Sequence, residues 1–96
     1  MSVRLIINFT AKPGKGTEMA KIQHERALNV QKEPGCLQFE IFQSVLNPDK
    51  VILMELWEDK AALDTHAALG PPAPMPDDVR GDVPVVREDY EYNRTR

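Results

Sequence analysis

Glu33-Pro34-Gly35-Cys36-Leu37-Gln38-Phe39-Glu40-Ile41 decides the fold, together with Glu55-Leu56-Trp57-Glu58-Asp59-Lys60-Ala61-Ala62-Leu63 and the His66 that follows. Proline cannot sit inside a helix, and it pushes the residue before it out of the helical region, so the helix ahead of Pro34 must stop there. Gly35 permits the left-handed turn out of it. An alternating apolar run then starts at once, which is the signature of a strand. In the second stretch a strand ends at Trp57. Asp59 is an N-cap candidate for a helix carrying Ala61, Ala62, Leu63, His66, Ala67 and Leu69, with Gly70 as its terminator.

Working outward, Val3 to Thr10 reads as a first strand. Val3, Leu5, Ile7 and Phe9 fall on one face, with Arg4, Ile6, Asn8 and Thr10 on the other. Lys12-Pro13-Gly14-Lys15-Gly16 is a loop. Thr17 is the N-cap candidate of a helix expected to run to about Lys32. Cys36 to Ser44 is the second strand, with Leu37, Phe39 and Ile41 sharing one face and Cys36, Gln38, Glu40, Phe42 and Ser44 the other. Asn47-Pro48-Asp49-Lys50 is a turn. Val51 to Trp57 is a third strand, apolar enough to be central and covered on both faces. Gly70 to Pro76 holds Pro71, Pro72, Pro74 and Pro76 and forms no regular structure; after the histidine-bearing helix it reads as a lid or as a rigid connector. Asp77 to Asp82 is loop or a short turn. Val83 to Tyr92 reads as the last strand, Pro84 marking a start or an edge.

The order is β-α-β-β-α-β, the ferredoxin-like α+β pattern: a four-stranded antiparallel sheet with both helices on one face. The other sheet face carries apolar residues and would be bare, which favours pairing of two sheets into a dimer. At 96 residues the chain is read as a single domain, 1–96, with a limited core. Its net charge is −3, from 12 basic and 15 acidic residues mixed along the chain. No basic stripe can track a phosphate backbone, and Arg94-Thr95-Arg96 is too short for a basic arm, so nucleic acid is not an expected partner. No apolar run reaches membrane-spanning length and no signal peptide is visible, so a cytoplasmic protein with no membrane contact is expected. Cys36, the one cysteine, allows no intrachain disulfide and reads as an inert buried thiol, having no cationic neighbour in sequence.

The quoted stretches resemble the antibiotic biosynthesis monooxygenase (quinol monooxygenase-like) family. Glu33-Pro34-Gly35-Cys36-Leu37-x-Phe39 matches its E-x-G-C-x-x-aromatic pattern, and Glu55-x-Trp57-Glu58-Asp59-x-x-Ala62-Leu63-x-x-His66 matches a second. The likeness runs from Val3 to Tyr92. It implies a dimeric α+β barrel with an exchanged C-terminal strand, and in some members oxidation of phenols or quinols by O2 with neither metal nor flavin. Other members degrade haem. The chain departs from the pattern after His66: Ala67-Ala68-Leu69-Gly70-Pro71-Pro72 stands where Ser-x-His-Phe is usual. Haem degradation needs an Asn, a Trp and a His. Asn8 roughly fits the first, but His66 falls where the Trp belongs and Pro76 near the His, so the haem-degrading reading is weak.

His66 is the candidate base, because an imidazole titrates near neutral pH, and the bland alternative is a helix histidine bonded to a backbone carbonyl. Asn8 is the second candidate catalytic residue, positioning the phenol oxygen; otherwise it is a solvated or networked Asn. Trp57 could stack on an aromatic substrate or simply pack the core. Tyr90 could donate a hydrogen bond into the cavity or anchor a dimer interface. His24 and His66, on different helices without carboxylates at ligand spacing, make no metal site. Glu40, Glu55 and Glu58 read as sheet-surface or dimer-contact charges. Gly14-Lys15-Gly16-Thr17 lacks the first glycine of a phosphate loop.

The favoured function is therefore cofactor-independent oxygenation of a small phenol or quinol by a homodimer, in an apolar cavity between sheet and helices. The alternative is a non-catalytic dimeric module binding a small hydrophobic ligand, with a haem-degrading or isomerase-like relative as a weaker third. Convergence of Asn8 and His66 on a cavity would favour the enzyme.

Overall fold

A computed structural model describes residues 1–92; Arg94-Thr95-Arg96 lies outside the described residues. The elements are β1 (Ser2–Thr10), α1 (Gly16–Val30), β2 (Cys36–Gln43), β3 (Lys50–Trp57), α2 (Lys60–Ala67) and β4 (Val86–Tyr92). The strands form one antiparallel sheet in the order β2-β3-β1-β4, so this is the ferredoxin-like α+β arrangement. As its near-continuous apolar run predicts, β3 is central: Val51, Leu53, Glu55 and Trp57 are buried against the helices, while Ile52, Met54 and Leu56 are half-buried on the other side.

Both helices lie on one face. α1 packs on β2 and β3, and α2 on β1 and β3. Val3, Leu5, Phe39, Leu53 and Trp57 of the sheet meet Ala27 of α1, with Ala62 and Leu63 of α2 against the same cluster. Full burial of a side chain such as Leu5 contributes about 1.5–3 kcal/mol. A second cluster joins Ala11, Met19, Val51 and Val79. The opposite face, with Ile6, Asn8, Ile52, Met54 and Leu56, is covered by no described element.

Several boundaries differ from the sequence reading, each for a physical reason. α1 ends at Val30, and residues 31–33 tighten into a turn in which Lys32 N–H and Glu33 N–H donate to the Asn29 and Val30 carbonyls. Thr17 is not the N-cap; it lies inside the helix. The Asp49 carboxylate, arriving from the β2–β3 turn, accepts from Gly14 N–H and Gly16 N–H at 3.1 Å each and does the work of a cap. α2 has the expected local cap, Asp59 accepting from Ala62 N–H at 2.8 Å, but it ends at Ala67. In β2 the register slips between Cys36 and Gln38, a bulge that leaves Leu37 without a partner. Leu37 therefore points outward, 58% exposed, and Cys36 joins Phe39 against the core, reversing the faces expected for both.

β4 begins at Val86, three residues later than the sequence predicts, and its residues from Val86 to Glu91 are exposed. Residues 70–85 form no helix or strand apart from one isolated pairing of Ala11 with Arg80. They are nonetheless tied down. Val79 is fully buried in the second cluster beside Met75, its carbonyl accepts from Lys12 N–H, and the Pro74 carbonyl accepts from Arg26. The segment is a strap pinned along its second half rather than a free lid. No helix among the described residues is long and apolar enough to cross a membrane.

Candidate active site

The two stretches that decide the fold meet in space. Cys36 pairs with Trp57 across β2 and β3, and Glu58 N–H donates to the Gly35 carbonyl at 2.9 Å. Gly35 adopts φ +79°, and a Cβ there would lie 2.5 Å from the Ala62 Cβ. The chain thus passes directly beneath α2, which only glycine allows in this left-handed conformation. That passage carries Glu33 up to the helix. Its Oε1 lies 2.8 Å from His66 Nδ1, both side chains being about three-quarters covered.

His66 is seated among aromatics. Its ring stacks on Trp57 with centroids 4.9 Å apart and planes 28° apart, and Phe39 meets it edge-on at 5.8 Å. Trp57 Nε1–H donates to Glu55 Oε1 at 2.9 Å, and Glu55 is 4% exposed. His66 Nε2 has no hydrogen-bond partner among the described residues. The His66 side chain is 25% exposed. The imidazole is held on Nδ1, and Nε2 carries no partner among the described residues, the arrangement a proton acceptor needs.

Burial pushes the Glu55 carboxyl above the usual carboxylate range, and Asp89 adds to the shift; the Trp57 hydrogen bond and the nearby His66 and Arg87 pull it back. Glu55 was expected at the surface. Its parity with Leu53 and Trp57 instead places it on the covered face of β3, while Glu40 and Glu58 are exposed. Asp89 clasps Arg87 through two bonds of 2.8 and 3.1 Å, raising the guanidinium's pKa further. The Cys36 thiol is pushed up by burial and by Glu33 and Glu55, which makes it the inert thiol that the sequence reading expects.

Asn8 and Tyr90 are elsewhere. Side chains alternate along a strand, and Asn8 falls with Ile6, not with Leu5 and Ile7. It sits between Ile52 and Val86, and Tyr90 sits opposite Arg4. Both therefore project on the open face, with the sheet between them and the His66–Trp57 pair. They are also four residues apart in register, roughly 13 Å. The expected convergence of Asn8 and His66 is not met within one chain. Tyr90 is half exposed, and neighbouring Glu88 pushes its hydroxyl pKa up.

Beside His66, where the apolar cavity between sheet and helices is expected, the Trp57 and Phe39 rings lie against the imidazole and pack with Leu5. One open groove of about 330 Å³ lies between α1 and β2, lined by Thr17, Lys21, His24, Phe42 and Gln43. Another of about 250 Å³ lies at the start of α2, by Pro34, Asp59 and Thr65. His24 is thus remote from His66, and among the described residues no group of three or more His, Cys, Asp or Glu is placed to hold a metal. The partners of His66 and Trp57 that the sequence reading does not single out for the site are Glu33 and Glu55. Glu55's signal was available, an acid at an inward position of an apolar strand. Glu33's was not, since its partner is 33 residues away.

Comparison with known proteins places this geometry. The chain is 27% identical over 59 residues to the uncharacterized protein sll1783 of Synechocystis sp., covering 62% of this chain and 40% of that protein. The chain thus spans well under two thirds of that relative's length. Among solved structures it resembles PA3566 from Pseudomonas aeruginosa (TM-score 0.77, 20% identity, 97% of this chain and 95% of that one). It is also similar to Rv0793 from Mycobacterium tuberculosis (TM-score 0.75, 16% identity, 99% and 98%). SnoaB, a cofactor-independent oxygenase from Streptomyces nogalater, shares the fold at TM-score 0.73 and 14% identity, over 98% and 95% of the two chains. Residues 2–70, which carry β1 through α2 and every contact to His66 described above, match the model of the antibiotic biosynthesis monooxygenase family, and the chain belongs to that family.

Proposed function

We propose that this chain is a monooxygenase that oxidises a small phenol or quinol with O2 and needs no bound cofactor. The observation that carries the reading is His66, bonded to Glu33 through Nδ1, stacked on Trp57, and without a partner at Nε2 among the described residues. Family membership supports oxygenase chemistry, and SnoaB supplies a cofactor-independent example on the same fold. Nε2 takes the phenolic proton. The resulting electron-rich anion passes one electron to O2, and the radical pair combines to form a carbon–oxygen bond. The O–O bond of that peroxide then breaks, leaving one oxygen in the product and the other in water. The substrate supplies all four electrons that O2 accepts. Trp57 forms an aromatic wall for the substrate.

The working unit is a homodimer paired through the open sheet faces, acting in the cytoplasm. In such a pairing Asn8 and Tyr90 fall within the sheet–sheet contact, and we assign them there rather than to the phenol. A second reading, a non-catalytic dimeric binding module, is favoured by the close packing beside His66. Oxygen uptake by the metal-stripped protein, against a panel of quinols and anthrone-type phenols, separates the two. Uptake above the uncatalysed rate that His66→Ala reduces by about 10²–10⁴-fold supports the oxygenase. No uptake with any substrate supports the module.

A further inference from the structure

We propose that Glu33 and Glu55 are positioning residues that hold His66 from two sides: Glu33 sets which ring nitrogen carries the proton, and Glu55 sets the plane of the ring through Trp57. The inference rests on the proposed base role of His66, but its structural part stands without it.

The argument for Glu33 is one of hydrogen-bonding inventory. A carboxylate only accepts, so a 2.8 Å contact to Nδ1 places the imidazole proton on Nδ1. The lone pair is then on Nε2, which has no partner among the described residues. Without that partner the neutral ring would divide between two tautomers, and only one could accept a proton at Nε2. The position of Glu33 is itself over-determined, because Gly35 wedges the segment beneath Ala62 and its carbonyl takes Glu58 N–H.

The argument for Glu55 is one of cost. A carboxyl 96% covered is a liability in a small core, and a packed apolar residue of similar volume would remove it. Among the described residues it accepts a hydrogen bond from Trp57 Nε1–H, and Trp57 in turn presents its face to His66 at 4.9 Å. The indole is thereby fixed at its polar edge while its face carries the imidazole. Glu33 fixes rotation within the ring plane and Trp57 fixes the plane itself. A base held this way is aimed before substrate arrives, which is where orientation saves activation free energy.

The test is nitrogen–proton NMR of the full-length protein with labelled histidine, at a pH where the ring is neutral. The wild type is expected to show His66 protonated on Nδ1, with its carbon-bound protons displaced by the Trp57 ring current. Glu33→Leu should lose the Nδ1 tautomer, and Glu33→Asp should restore it in part. Glu55→Leu should lose the ring-current displacement, and Glu55→Gln, whose amide oxygen can still accept from the indole, should keep it. With an oxidisable quinol, each leucine variant should lose on the order of 10–100-fold in kcat with KM little changed. A wild-type His66 protonated on Nε2 would overturn the Glu33 role before any variant is made. Unchanged ring-current shifts and kcat in Glu55→Leu would overturn the other. Because the spectra need no substrate, failure of the oxygenase reading would leave them intact and distinguishable.

Discussion

Ionising a carboxyl inside a small core costs several kcal/mol unless it is fully paired, and among the described residues Glu55 accepts from the indole N–H of Trp57 through one oxygen. The consequence can be read in stability. Its pKa in the fold lies above the ordinary 4.5. Between that value and the raised one the native state binds more protons than the unfolded state, so stability falls as pH rises. The native state's advantage from Glu55 is complete below the ordinary value and is lost as pH climbs through the raised one. The groups facing it, Trp57, His66, Arg87 and Asp89, are retained in a Glu55→Gln protein and largely cancel in the comparison. Urea unfolding of both proteins across pH is therefore expected to show Glu55→Gln gaining on the wild type upward from about 4.5 and then levelling. A difference independent of pH would refute the buried-acid account.

At the level of elements, the joint between the β2 start and the α2 start is what brings Glu33 to His66. Gly35→Ala should cost about 2–5 kcal/mol, about 1–2 from the left-handed backbone and the remainder from the overlap with Ala62. Gly14 is the internal control: φ is +80° and nothing lies within 4 Å of a Cβ there, so Gly14→Ala should cost only about 1–2 kcal/mol. Equal losses in chemical denaturation would mean that the joint is loose. The same elements show what the sequence makes legible. Strand and helix order followed from Pro34, Gly35 and period-two alternation, and the Asp59 cap lies next to its own helix. The Leu37 bulge was hidden because inserting one residue reverses parity without any change of composition. The Asp49 cap was hidden because its helix lies 33 residues upstream. Val79 read as loop because a buried plug in an irregular segment has no periodicity to betray it. Of the site, His66 and Trp57 are both singled out by the sequence and lie stacked, whereas Asn8, named with them, projects on the other face, because alternation groups residues by face without saying which face the helices cover.

For the whole molecule, helices cover one sheet face and leave Ile6, Ile52, Met54 and Leu56 half-buried on the other, with Phe42 40% exposed. A contiguous apolar face of this kind is expected to be an interface. A second copy is the self-complementary occupant, since the same patch can then meet itself about a two-fold axis. Sedimentation should find a dimer, and Met54→Lys, which puts a charge in the middle of that face, should give a folded monomer with an unchanged helix signal. A wild type that sediments as a monomer at micromolar concentration would contradict the pairing.

The central claim, that a clamped histidine drives oxygenation by O2 without a bound cofactor, is met most directly by isotope labelling. The metal-stripped protein would be given an oxidisable quinol under heavy-isotope O2, and the product's mass would be read for wild type and His66→Ala. The account predicts one heavy oxygen atom in the wild-type product and none above background in the variant. Product oxygen drawn from water, or labelled product formed equally well by His66→Ala, would contradict it.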